Sequence, residues 1–264
     1  MTVTDKAEKA DKADKADKAD SSLARMLGVL DLFTEQRLHW SAEDVGTALQ
    51  VSLPTAYRYL KTLSDAGLLL RGTDARYTLG PRIIVLDHYI RQADPVLQHG
   101  VPFMKELVAQ TGFDCVVSRL HGDQLLDVHR EYGSAPAKLS YGRGRPRPLF
   151  LGAAPKVILA TLPTAQLRRL FDAQGDAVAA AGLPTDWPAF RSYFSRVRKA
   201  GHYFSNGELE SDLAALAAPL QLADGTSIGA LSLVTTVPRM AVIDRAKLTP
   251  LLQRAAQEIS ARLG

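Results

Sequence analysis

The sequence predicts an α+β protein in two parts: a small helical N-terminal unit closed by a β-hairpin, and a larger C-terminal domain of helices flanking an antiparallel sheet. Three observations lead there. The chain has 264 residues, more than the roughly 100–200 that one domain usually takes. Between Ser22 and Ala66, three segments with helical apolar spacing precede two short β-rich runs about a Gly-Thr-Asp-Ala turn. Beyond Pro95, strand pairs about His121-Gly122-Asp123 and Ala223-Asp224-Gly225 mix with alanine-rich helical stretches, a pattern of helices on an antiparallel sheet.

Each element has a local reason. Lysine and aspartate repeat every third residue from Lys9 to Asp20, which lays no apolar stripe on a helix, so residues 1–20 read as a disordered tail. Leu23, Met26, Leu27, Leu30 and Phe33 share a face, predicting a helix from Ser22 to Glu35 with Ser22 as its cap. Ser41-Ala42-Glu43-Asp44 is a capping-box variant that opens a short second helix through Leu49. After the tight link Gln50-Val51-Ser52, Pro54 sits in the first turn of a third helix, where its missing N–H matters least. That helix runs from Leu53 to Ala66 and stops at Gly67, with Leu53, Ala56, Leu60 and Leu63 expected inward. Leu68–Arg71 and Arg76–Leu79 read as strands joined by Gly72–Ala75. Arg82 to Ala93 reads as a linker helix, closed by Asp94-Pro95. The domains are therefore expected at 21–81, 82–95 and 96–264.

In the third part, Val96–Thr111 reads as a helix ended by Gly112. Phe113–Leu120 and Gln124–Glu131 read as one hairpin, Ala214–Leu222 and Ser227–Thr235 as another. Helices are expected near Ala154–Thr161, Ala165–Ala173, Trp187–Ala200 and Ile243–Leu263.

Composition narrows the function classes. Hydrophobic residues make up 46% and charged residues 23%, ordinary for a globular chain. No apolar run reaches the ~18 residues a membrane span needs, and the N-terminus has no apolar core of a signal peptide. The single cysteine, Cys115, excludes an internal disulfide framework and a cysteine-built zinc site. These points lead us to expect the cytoplasm. The net charge is +4, yet residues 21–95 hold eight basic and eight acidic residues. An argument for nucleic acid must rest on where those charges sit.

Two helices joined by a tight turn form a helix-turn-helix, whose second helix enters the major groove of DNA. In the third helix Thr55, Arg58 and Thr62 share a face, with Ser52 and Tyr59 at its edges and no carboxylate before Asp65. Hydroxyls and cations of this kind suit phosphates and base edges. The candidate DNA contacts are Ser52, Pro54, Thr55, Tyr57, Arg58 and Lys61, with Arg71 and Arg76 flanking a wing. A solvated polar face on a protein-binding helical domain would present the same periodicity.

The segment Val51-Ser52-Leu53-Pro54-Thr55-Ala56-Tyr57-Arg58-Tyr59-Leu60-Lys61-Thr62-Leu63, then Gly67-Leu68-Leu69 and Tyr77–Arg82, resembles the IclR family of bacterial transcription regulators. Leu149–Pro163, Val197–Tyr203, Ala217–Leu220, Gly229–Leu233 and Glu258–Gly264 extend the likeness in order. The resemblance implies a winged helix-turn-helix, a linker helix and a GAF-like effector domain. It also implies homodimers, or dimers of dimers, on a palindromic double-stranded operator, tuned by a small organic acid or aromatic metabolite. By the same resemblance Gly152, Ala153 and Ala154 form the effector loop, faced by Ser205, Asn206, Glu208, Ala215, Ser232 and Val234. Three positions depart from the family pattern: Pro155 stands for a glycine, Ala215 for a cysteine and Val234 for a serine. That wall is thus less polar, suiting an aromatic or aliphatic body with a polar head. Arg143, Arg145 and Arg147 are either carboxylate forks or a solvated basic loop.

An enzyme, or a sensing module without DNA affinity, is the alternative. The six histidines show no metal-ligand spacing. Cys115 lies mid-strand, where a thiol usually acts as a small hydrophobe. No nucleophile elbow or phosphate-binding glycine loop is found, and Asp127, Glu131 and Glu208 form no defined pair. No cofactor, metal or catalytic residue is expected.

Overall fold

The structure, a computed structural model, describes residues 22–263. The lysine-aspartate tail expected at residues 1–20 lies outside them. The chain divides into two compact units, with the division between Ala93 and Asp94.

The first unit begins with a short helix, α1 (Ser22–Leu27), and a 3₁₀ turn at Leu30–Leu32. The single helix expected from Ser22 to Glu35 is therefore broken. Gly28 weakens the helical run, and fully buried Val29 turns into the core. Ser22 lies inside the helix and not at its cap; its hydroxyl pairs with Tyr59 Oη at 3.0 Å. Helix α2 (Ala42–Ala48) starts on the expected box: Ser41 Oγ accepts from the Asp44 amide at 3.1 Å, and the Asp44 carboxylate accepts from the Ser41 amide. Gln50 takes the left-handed conformation, φ 53°, in the turn to α3 (Leu53–Asp65). Gly67, at φ 72°, ends α3 with paired bonds from its own amide to Ser64 and from the Leu68 amide to Leu63, a Schellman motif.

Strands β1 (Leu69–Arg71) and β2 (Tyr77–Leu79) pair antiparallel, and Trp40 exchanges two backbone bonds with Tyr77. Helix α4 (Arg82–Ala93) closes the unit. Buried Ala56, Tyr59, Leu60 and Leu63 of α3 meet Val29, Trp40, Val45 and Leu69 in the core. Two inward assignments change here. Tyr59 is buried and Leu53 is 42% exposed, because positions 56, 59, 60 and 63 make the i, i+3, i+4, i+7 stripe while Leu53 sits in the first, projecting turn.

The second unit is a six-stranded antiparallel sheet ordered β5-β4-β3-β8-β7-β6. Its strands are β3 (Asp114–His121), β4 (Gln124–Glu131), β5 (Pro146–Arg147), β6 (Tyr203–Asn206), β7 (Leu213–Gln221) and β8 (Ser227–Thr236). Helices α5 (Pro95–Thr111) and α11 (Arg245–Ala261) cover one face, burying Cys115, Val117, Leu216, Leu231 and Leu233. Helices α6 (Ala153–Thr161), α7 (Thr164–Ala173), α8 (Gly175–Ala180) and α9 (Trp187–Ala200) build the other layer around Phe150, Phe190 and Phe194. A short α10 (Val237–Ala241) follows β8. The small elements β5, α8 and α10 were not expected, being too short to carry a period.

One irregularity sets the face of a key residue. Between β3 and β4 the register slips, so that Val117 opposes His129 but Ser118 opposes Asp127, leaving Val128 unpaired. A bulge shifts the side-chain alternation by one residue. It places Asp127 on the same face as Ser118, with Ser118 Oγ donating to its carboxylate at 2.6 Å.

Candidate functional site

In the first unit, the candidate DNA contacts lie at the protein surface. Ser52, Pro54, Tyr57, Arg58, Lys61, Arg71 and Arg76 are exposed, and Thr55 is half-buried. Ser52 does not cap α3 with its side chain; its hydroxyl pairs with Thr55 Oγ1 at 2.9 Å. The first-turn amides of Leu53 and Thr55 therefore keep the open donor capacity of a helix start, and Pro54 contributes none. Arg58 lies 5.7 Å from the centre of the Tyr59 ring. Lys61 is in an exposed i,i+4 pair with Asp65 at 2.9 Å, a contact weak enough for a phosphate to replace. Arg71 and Arg76 sit at the two ends of the hairpin turn, where Ala75 takes φ 60°.

In the second unit a small cavity of about 40 Å³ opens between the sheet and the N-terminal end of α6. Its lining includes Gly152, Ala153, Ser205, Ala215 and Val234 from the residues expected there. Gly152 needs its φ of 92° to bring the chain into α6, a conformation that side chains resist.

Four expected residues are not on the wall. Ala154 points into the helix-side core, since a helix turns by about 100° per residue. Asn206 is exposed on the sheet face opposite Ser205 by strand alternation. Ser232 lies on the cavity's sheet face but between Val116 and Ala217 in the register, buried and with no partner for its hydroxyl. Glu208 is occupied by Lys156, by Tyr203 Oη at 2.9 Å and by the Gly152 amide at 3.2 Å. It braces the loop from behind. Lys156 is buried, and its charge is met by Glu208 and by Tyr203 Oη at 3.0 Å. Tyr193 also donates to Tyr203, and burial pushes the Tyr203 hydroxyl well above the usual tyrosine range, so it stays a donor.

The cavity also takes residues that sequence reasoning had not assigned to it: Val116, Asp127, Leu139, Tyr141, Leu209, Glu210, Leu213 and Ala214. Of the three arginines left open, Arg147 lines it and pairs with Asp127 at 2.9 Å. Arg145 is exposed and donates to Ser140 O at 2.8 Å, while exposed Arg143 donates to Val128 O. The wall formed by Leu139 and Tyr141 is pinned by Asp114, which accepts from the Gly133 and Ala137 amides and Arg130 Nη2, each at 2.7 Å. At the mouth, Glu210 accepts from the Ser140 amide at 3.0 Å and its hydroxyl at 3.1 Å. Among the described residues no cluster of three or more metal-ligating side chains occurs, and no helix is long and apolar enough to cross a membrane.

Known proteins match along the same division. Residues 22–72 match the IclR helix-turn-helix domain, and residues 88–261 match the bacterial transcriptional regulator IclR C-terminal domain. The transcriptional regulator XynR of Escherichia coli is 26% identical over 245 residues, covering 92% of this chain and 97% of that protein. The Pca regulon regulatory protein of Pseudomonas putida is 25% identical, covering 92% and 84%. An IclR homologue from Microbacterium hydrocarbonoxydans, solved with 4-hydroxybenzoate, shares the fold at TM-score 0.73 and 22% identity, over 92% and 99%. An IclR regulator from Alicyclobacillus acidocaldarius does so at TM-score 0.72 and 22% identity, over 92% and 98%. With both halves matched in order, the chain belongs to the IclR family: it is a transcriptional regulator, not an enzyme, and its helix-turn-helix is a DNA-binding domain.

Proposed function

We propose that α3 reads a specific operator in the major groove while a small organic molecule in the cavity changes the regulator's affinity for that operator. The observation that carries the DNA half is the α3 surface. Its exposed side chains from Ser52 to Thr62 are two hydroxyls, Leu53, Pro54, Tyr57, Arg58 and Lys61, without a carboxylate. The uncapped helix start adds amide donors suited to a phosphate. Arg58 is the base-edge reader, Lys61 a phosphate contact, and Arg71 and Arg76 backbone clamps from the wing. The cavity, with its glycine-led loop and mixed apolar and polar wall, has the lining of a small-molecule site. The Microbacterium homologue's complex with 4-hydroxybenzoate supports an aromatic acid as the class of effector. The working form is a homodimer or dimer of dimers, supported by the apolar surface that α4 leaves exposed.

The test begins by footprinting bound DNA across the genome and measuring affinity on the recovered site. Arg58→Ala should weaken binding by about 1–3 kcal/mol and relax preference at one base position. Lys61→Ala should weaken all sequences alike and reduce the salt slope by about one. Unchanged affinity and slope in both variants would remove α3 as the reading element.

A further inference from the structure

We propose that Arg147 is the residue that reads the ligand, and that it selects a small carboxylate with an apolar body. The inference rests on the cavity being the effector site and adds what the ligand must carry.

Three features converge on it. First, the guanidinium is placed rigidly: Arg147 sits on the edge strand β5, opposite Leu125, and Asp127 lies two residues along β4 on the same face. Asp127 is nearly fully buried and takes Nη1 alone, at 2.9 Å, while Ser118 supplies its other bond at 2.6 Å. Second, the remaining edge of the fork is uncommitted. Nε is buried with no hydrogen-bond partner, and Nη2 lies 3.5 Å from where a Cβ on Gly152 would stand. An Nε–Nη2 edge offers two parallel donors that match the two oxygens of a carboxylate. A buried donor left unpaired is itself destabilising, so an anion there gains the bond that the protein does not supply. Third, this edge lies beside the start of α6, whose Ala153 and Ala154 amides have no intrahelical acceptor. The apolar part of the lining, Val116, Leu139, Leu213, Ala215 and Val234, suits one ring or a short aliphatic body, while Tyr141, Ser205 and Glu210 are its other polar groups.

Asp127 has a defined part in this arrangement. It neutralises Arg147 before the ligand arrives and orients the fork toward the loop. It also opposes the arriving anion, which limits affinity.

The experiment titrates the full-length protein with benzoate, phenylacetate and hexanoate, each beside its neutral amide, by calorimetry. The acids should bind roughly 10- to 100-fold tighter than their amides, the size of a charge-assisted bidentate contact. Arg147→Gln should erase that preference while leaving amide binding within about twofold. Since Arg147→Gln strands Asp127, the double variant with Asp127→Asn serves where the single one does not fold, and it should show the same loss. With arginine labelled at Nε, one side-chain signal should shift on adding acid and remain in place on adding amide. If amides bind as tightly as acids, or acid affinity survives Arg147→Gln, the assignment of Arg147 is overturned and the cavity remains a ligand site. If neither acids nor amides bind at millimolar concentration, both this inference and the cavity reading fall.

Discussion

Cys115 shows how one position decides between chemistries. It is mid-strand in β3, wholly buried, between Glu131 on one side and Leu233 on the other. Burial pushes its thiol far above the usual range, and the nearby Glu131 and Asp114 charges add to that. A thiol held un-ionised is neither a nucleophile nor a metal ligand. We expect a chromogenic disulfide reagent to leave the native protein unlabelled at neutral pH and to label one thiol per chain in denaturant. Rapid labelling of the native state would show that the sheet opens at Cys115. Its neighbour Asp114 is buried as deeply yet polar, because three donors and the loop from Gly133 to Ala137 are organised on it. Adjacent residues on opposite faces thus serve packing and site construction respectively.

At the scale of elements, the capping box of α2 links sequence to the placement of α3. Ser41→Ala should lower stability by about 1 kcal/mol, the usual loss of a hydroxyl cap, read as a lower midpoint in urea. The same box carries a pH dependence. Arg37, then the Ser41 hydroxyl and amide, hold the Asp44 carboxyl below its ordinary 3.8. A carboxyl with a depressed folded pKa stabilises above its unfolded value and loses that contribution as pH falls through the folded one. The gap in melting temperature between the protein and Asp44→Asn should therefore be full at pH 6 and close below about pH 3.8; a gap that persists in acid would assign the effect to packing. These helices were legible from the sequence because caps, glycine stops and apolar stripes are local signals. The cavity was only half legible. Resemblance to the family, and not a period, marked the α6 loop and Ser205, Ala215 and Val234. Asp127 reaches the wall only through the Val128 bulge, and Leu139 and Tyr141 only because Asp114 and Glu210 tie down an aperiodic segment. Such long-range pairings leave no period to read, and Glu208, expected in the cavity by resemblance, instead braces the loop through Lys156.

At the scale of the molecule, charge and apolar surface point to different partners. Residues 21–95 balance eight basic against eight acidic residues, so a basic domain supplies no steering toward DNA, and the proposed reading rests on the local face of α3. In the proposed two-copy form, a regulator with so little general attraction would gain affinity by engaging two half-sites at once. Helix α4 supplies a surface for that. It has no buried residue, and Val85, Leu86, Tyr89 and Ile90 form one exposed stripe at i, i+1, i+4 and i+5. Contiguous apolar surface of this kind marks an interaction site. Because Ile90 is 64% exposed, Ile90→Glu should leave the fold and melting of the single chain intact. Placed in a self-paired stripe, each new carboxylate should cost about 1–3 kcal/mol, so two copies weaken the dimer by roughly 30-fold or more. Sedimentation at micromolar concentration should then shift from dimer toward monomer, and operator affinity should fall with it while binding to a single half-site is retained. A variant that still sediments as the parent, with operator binding unchanged, would show that another surface joins the copies.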